Sequence, residues 1–467
     1  MKKRTYSTVD VEQIELLKIL QLLTVGCIVA VDVAKTKFVA AIATAAGEVI
    51  RLVRFEHPRQ TPFLLRLIEA LRDAKLDPRV VMEPTGTYGD ALRYQCHERG
   101  VAVHMMSPKH THDFAEVLDG VPSMHDPKAA VALARLATIK STRMWKPDSD
   151  EKRDIRALLD QRSPLAKTIA LYHGHLEATL ARHWPELGAL IDVHEQRSWM
   201  TLLLNHPGAQ AVAANREEAM ETLRKASRGR FGPERIVAIV DAARTTVGVP
   251  MTKNEQAKLR SIVAHIARET LQVDALDEDL GEVVSKDLVM SRIAAVVGPL
   301  CAASIVSYVG SPLDFETASA LEKAMGLNLK ERSSGEKKGQ LSITKRGSPE
   351  ARQMLYLATL RLLQANATVA SWYRARSSCR GGKPVKVKAV VAVMRKLARA
   401  LWHVARGQAF DATKLFDVRR LDVKSLSNED ATNEASRTDR QGAPRPFVRK
   451  SALEERPKKG SIVQQIA

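Results

Sequence analysis

Long apolar runs are missing from this chain of 467 residues, and no stretch reaches the length needed to cross a bilayer. The opening "MKKRTYSTVDVEQ" has no apolar core of the signal-peptide kind, so a cytoplasmic protein without membrane contact is expected. Cysteine is scarce: Cys27, Cys96, Cys301 and Cys379 stand far apart, without the paired spacing of a zinc site or a disulfide framework. That usage fits a reducing compartment. Aromatic residues make up only 4% of the chain, which disfavours the base-stacking platforms of single-strand binders. Acidic residues are outnumbered, 53 against 72 Lys and Arg, leaving a net charge of +19. Such an excess favours a polyanionic partner, and nucleic acid is the commonest one.

What is present falls into blocks. Residues 1–24 form a polar start with a short helix-like stretch, "VEQIELLKILQLL". Three apolar, β-branched runs follow at hairpin spacing, "CIVAVDV", "KFVAAIATA" and "EVIRLVRF", the last two joined through Ala46 and Gly47. "TPFLLRLIEALRDA" has helical spacing, "RVVME" is a fourth strand, "GDALRYQCHERG" a helix closed by Gly100, and "VAVHMMS" a fifth strand. Three strands at hairpin spacing, then alternating helix and strand, predict a mixed α/β sheet over residues 25–148, in an order that matches a ribonuclease H-like layout. From 149 to 285 the strand signal disappears, and long charge-rich helical stretches predict an antiparallel or intermolecular coiled coil. Residues 286–412 read as helical again, broken by Gly/Ser/Lys-rich loops. The polar segment 413–467 is expected to be mostly disordered. The fold class is therefore α/β plus all-α.

Two carboxylates sit where strands end. Asp32 closes the first strand and Glu83 the fourth, and a ribonuclease H-like sheet sets those two ends side by side. They would then face one point, as two-metal phosphoryl chemistry requires, and hard oxygen ligands select Mg²⁺ over zinc. An exposed loop-start residue is the competing reading for Asp32. Beyond Glu83, Thr85 or Thr87 is expected to cap the next helix. Asp126 opens "DPKAAVALARLA" with proline behind it, a strong helix start, so it reads equally as a cap and as a third acid.

Four stretches in register, "VAVDVAKTKFVAAI", "MEPTGTY", "DGVPSMHDPKAAVALARL" and "GSPLDFETASALEKAMGLNLKERSSGEKKGQLSITKRGSPEARQMLY", together resemble the DEDD transposases of bacterial insertion sequences. The resemblance covers roughly residues 25–140 and 286–400. It implies a RuvC-like domain followed by a second catalytic domain that carries a serine. Asp32, Glu83 and Asp126 then correspond to the first three acids. The fourth acid of the family falls at Ala129, and here the chain departs from the pattern. Asp119, or less favourably Asp113, is the stand-in considered for it.

The same resemblance makes Ser334 the nucleophile, with the adjacent Ser333 as the fallback. Lys337, Lys338, Lys345, Arg346 and Arg352 around it would contact nucleic acid and offset charge on an attacked phosphate. Read without the family, the Ser-Gly in this basic stretch is a flexible phosphate-contacting turn. "AAVVGPLCAASIVSYVG" resembles a helix-hairpin-helix, which presents backbone N–H groups to phosphates, although Val296 stands where the first glycine is usual. Members of the family cut and rejoin DNA at element ends and target. They work as oligomers, dimers or tetramers, with a structured non-coding bridge RNA. Competing readings are a RuvC-like nuclease or junction resolvase, a non-catalytic nucleic-acid-binding descendant, and an actin-like sugar kinase. The kinase would need glycine where Val33, Ala34 and Lys35 stand. A covalent protein–DNA adduct separates a recombinase from a nuclease, and metal-dependent cleavage separates either from a binder.

Overall fold

The computed structural model describes residues 6–84, 86–121, 123–194, 196–334, 337–377 and 386–416, the side chains of 332–334, 337, 338 and 340 excepted. The chain divides after Ser149 into two compact units.

Among the described residues the first unit is built on seven strands: β1 (Thr8–Asp10), β2 (Cys27–Asp32), β3 (Lys37–Thr44), β4 (Val49–Glu56), β5 (Pro78–Met82), β6 (Val103–Met105) and β7 (Arg143–Met144). Their order is β1-β4-β3-β2-β5-β6-β7. The β2–β3 and β3–β4 pairs are antiparallel, whereas β5 lies parallel to β2 and β6 parallel to β5. The mixed sheet is thus as expected, extended by two short edge strands. β1 runs parallel to β4, and β7 antiparallel to β6. Five helices accompany it: α1 (Leu16–Leu22), α2 (Thr61–Asp73), α3 (Asp90–Glu98), α4 (Pro108–Asp119) and α5 (Asp126–Ile139). The expected N-terminal helix is shorter than its apolar pattern, because Val11–Gln13 form a separate 3-10 turn.

Strand alternation sorts the sheet into two cores. On one face Val29, Val31, Phe38, Ile42 and Val53 pack with Leu64 and Ile68 of α2 and Leu92 of α3. On the other, Ile28, Ala30, Ala41 and Val81 pack with Ala130, Leu133, Ala134 and Ala137 of α5. The alanines let α5 lie close on the strands. The turn before β4 exploits the same closeness. Gly47 has φ +83°, and a Cβ there would come within 3.0 Å of the Thr138 side chain on α5.

Every regular element between Asp150 and Val297 among the described residues is helical. Two helices of 34 residues, Asp150–His183 and Lys253–Lys286, pack against one another. Arg162 meets Asp277 at 2.5 Å, while His183 meets Glu255 at 3.6 Å. The early part of one helix therefore faces the late part of the other, and the pair is antiparallel within one chain. The second helix starts from a reciprocal cap between Thr252 and Glu255. At one end the pair is buried among Trp184, Trp199 and the helices between them. At the other, Ile155, Leu159, Leu280 and Val284 pack with Met290 and Ala303.

Helices Leu288–Val297 and Pro299–Tyr308 follow, joined through Gly298. Where a loop is expected, the structure has a two-stranded hairpin, β8 (Leu329–Ser334) and β9 (Lys337–Ile343). Only "QLSI" at the end of β9 alternates with period two, too short a run to stand out against the Gly, Ser and Lys around it. Helices Pro349–Ala365 and Lys386–Ala405 complete the core around Leu321, Met325 and Leu355. Of the tail expected to be disordered, residues 413–416 are described. Thr413, Lys414 and Leu415 belong to a 3-10 turn, and Phe416 stacks on Trp372 with ring centroids 4.4 Å apart. The rest of the tail lies outside the described residues.

Candidate active site

The register of β2 against β5 pairs Val31 with Met82. The next residue on each strand, Asp32 and Glu83, therefore leaves the sheet beside its neighbour. Asp32 lies two residues beyond Ala30, and Glu83 two beyond Val81, so both fall on the face that α5 covers. The N-terminus of α5 supplies Asp126. All three carboxylates line one open cleft of about 460 Å³, together with Pro108, Lys109, His112, Met124, His125 and Ala129.

Asp126 does not cap its helix, contrary to one of its two expected roles. The N-cap is His125, whose Nδ1 accepts from the Lys128 backbone N–H at 3.3 Å. Asp126 is the first helical residue, and its carboxylate is left for the cleft. The expected threonine cap on α3 is also absent: Gly89 is the N-cap, without a side-chain bond. Thr85 lies outside the described residues.

Burial, reinforced by the nearby Asp126 and Glu83 carboxylates, pushes the Asp32 carboxyl up to about 7. Burial also raises Glu83, and the Thr111 hydroxyl of α4 partly offsets it. As they stand, the described residues form no group of three or more His, Cys, Asp or Glu able to hold a metal ion. The donor set nevertheless fits a hard divalent cation. It is all carboxylate, and the crowding that lifts Asp32 is what a cation between the acids relieves.

Ala129 is buried at the cleft wall, and its methyl group offers no ligand. Asp119 does not line the cleft. Its Oδ1 accepts from the Lys128 ammonium at 2.7 Å and the Val121 N–H at 3.0 Å, and its Oδ2 accepts from the Tyr6 hydroxyl at 3.0 Å. The Lys128 and Val121 bonds, with that of Tyr6, hold its carboxyl below the usual range. Asp113 lies on α4 beside Lys109 and His112 and is likewise not a lining residue. Lys109 and the imidazole of His112, three apart on α4, face the cleft instead. The start of α4 at Ser107-Pro108 and its stop at Gly120 were the available signal for them.

Ser334 ends β8, and Lys337 and Lys338 begin β9, while their side chains lie outside the described residues, as does that of Ser333. The root of this hairpin is tight. Gly326 has φ +69°, and a Cβ there would come within 2.7 Å of the Arg346 backbone nitrogen. Across the root Lys345 donates its N–H to the Gly326 carbonyl at 2.9 Å. Lys345 and Arg346 are exposed. Arg352, expected among the nucleic-acid contacts, also has a place in the hairpin root through its Nη1. It donates to the Met325 and Gly347 carbonyls at 3.2 and 2.7 Å and so braces the hairpin root.

Comparison with known proteins bears on both units. A transposase family model of the DEDD, IS110 type matches residues 29–185, and the transposase IS116/IS110/IS902 family model matches residues 293–374. A pilin gene-inverting protein of Moraxella bovis is 31% identical over 83 residues, 18% of this chain and 26% of that protein. The chain thus matches about a quarter of that relative's length. The two family matches follow one another in order along the chain and take in the three cleft acids and Ser334. The chain belongs to the IS110 family of transposases.

Proposed function

We propose that the protein cuts and rejoins DNA, with Asp32, Glu83 and Asp126 as the metal-binding acids and Ser334 as the nucleophile. The observation that carries this reading is the convergence of the three acids, 94 residues apart in sequence from first to last, on one cleft. A divalent ion there, Mg²⁺ by the hardness of the donors, would supply Lewis-acid stabilisation of charge on phosphate oxygens.

The chain's own groups define the rest. Ser334 Oγ attacks the phosphorus, the bond from phosphorus to the 3′ oxygen breaks, and the serine proton is balanced by protonation of the leaving 3′ oxygen. The products are a 5′-phosphoserine link and a free 3′ hydroxyl. Attack of another 3′ hydroxyl on that link reverses the step and releases the serine, so rejoining needs no ATP. Lys345 and Arg346 stand exposed at the hairpin root, where cations offset charge on the attacked phosphate. Lys337 and Lys338 are assigned the same task. The family resemblance adds a structured non-coding RNA as guide and a dimer or tetramer as the working form. A net charge of +19 supports a nucleic-acid partner without choosing between RNA and DNA.

The test is adduct formation on a nicked DNA carrying the element junction, with the matching RNA, using the full chain. The parent is expected to give a denaturant-resistant protein–DNA adduct. Ser334→Ala abolishes it, whereas Ser333→Ala retains it. An adduct of undiminished yield from Ser334→Ala removes the serine from the mechanism. Cleavage without any adduct in the parent points to a metal-dependent nuclease.

A further inference from the structure

We infer that Lys128 is a positioning residue of the acidic cleft: it fastens the segment linking α4 to α5 and thereby sets where Asp126 stands. The inference rests on the proposed metal-binding role of the three acids. Lys128 has no exposure to solvent. A buried ammonium is tolerated only where its protons are all accepted. Here three protons meet three acceptors: Asp119 Oδ1 at 2.7 Å, the Val121 carbonyl at 2.7 Å and the Ser123 carbonyl at 3.0 Å. All three acceptors lie in the few residues before Asp126, so a side chain of α5 holds the segment that leads into α5.

Two further contacts fix the same segment from outside it. Tyr6 donates its hydroxyl to Asp119 Oδ2 at 3.0 Å and sets its ring edge-on to His125, with centroids 5.0 Å apart. His125 in turn caps α5 by accepting the Lys128 backbone N–H. Lys128 therefore acts twice, through its backbone on the cap and through its side chain on the linker. The residues so placed, Met124, His125 and Asp126, line the cleft. Lys128 does not itself line it and acts only through them.

The experiment reads Mn²⁺ binding to the full chain by electron paramagnetic resonance titration, with thermal unfolding of each variant alongside. Lys128→Met, similar in length but without charge, is expected to weaken Mn²⁺ binding roughly ten-fold or more, as loss of groups that orient metal ligands does. Asp119→Asn keeps the shape and removes the charge partner; it is expected to act in the same direction and guards against a Lys128→Met protein that does not fold. Leu133→Ala, a buried change further along α5, controls for loss of stability alone. It is expected to lower the melting temperature and leave Mn²⁺ affinity unchanged. Equal weakening by Leu133→Ala makes Lys128 merely structural and overturns the inference. So does parental affinity in both Lys128→Met and Asp119→Asn while Asp126→Asn has lost binding. If Asp126→Asn binds like the parent, the metal-site reading itself fails and carries the inference down with it.

Discussion

Asp32 is where sheet geometry becomes electrostatics. Its carboxyl is pushed up to about 7 in the folded protein because it is half-buried and two like charges stand close, whereas in the unfolded chain it titrates near 4. The folded state thus holds a proton that the unfolded state releases. The metal-free protein is most stable, with respect to this group, below about pH 4, and loses that contribution as pH rises to about 7. Asp32→Asn removes the dependence. In chelator, the variant is expected to match the parent near pH 4 and to exceed it at pH 8 by roughly 1–3 kcal/mol. Urea unfolding at the two pH values checks this, and an equal difference at both would contradict it. Asp32 and Glu83 were readable from sequence because a carboxylate closing an apolar strand interrupts a pattern that burial alone would continue. Lys128 was not. One lysine in an alanine-rich helix reads as an exposed residue until the fold shows which face it occupies.

Among elements, legibility followed length and period. β2 to β5 and α2, α3 and α5 each carry a repeat long enough to see, and β6, itself three residues, lies within the longer apolar run "VAVHMMS". β1 and β7 span three and two residues, too few for any period, and owe their strand geometry to pairing with β4 and β6. The β8–β9 hairpin was masked by its composition, and its root depends on backbone contact that no side-chain pattern announces. Gly326 makes that contact testable. Gly326→Ala demands a positive φ of a residue with a Cβ and drives that Cβ into the Arg346 backbone. The expected result is faster hydrogen exchange across residues 327–344, with exchange in the helix 253–286 unchanged, and a lower adduct yield. Unchanged exchange in the hairpin would show that the close approach is not needed to hold it.

For the whole molecule, charge makes the broadest statement. If its excess of positive charge engages a nucleic-acid backbone, affinity falls steeply with salt, by roughly 10³-fold or more between about 50 and 200 mM for six or more phosphate contacts. Binding to the cognate RNA and DNA across a salt series measures this, and a nearly flat dependence would leave the charge without its assigned partner. The composition made this legible at once, because charge needs no fold to be counted.

The paired helices of the second unit carry one more consequence. Each has 34 residues, so each is a rod of about 50 Å with an apolar cluster at either end. Such a rod is a ruler. Its span is written mainly in residue number, about 1.5 Å for each, with Pro164 inside the first helix the one side chain that removes a backbone hydrogen bond from it. Matched deletions of seven residues in both helices shorten that span by about 10 Å, keep the packed faces nearly in phase and leave the sequences of both terminal clusters intact. Spacing in this protein is therefore adjustable in steps of about two helical turns.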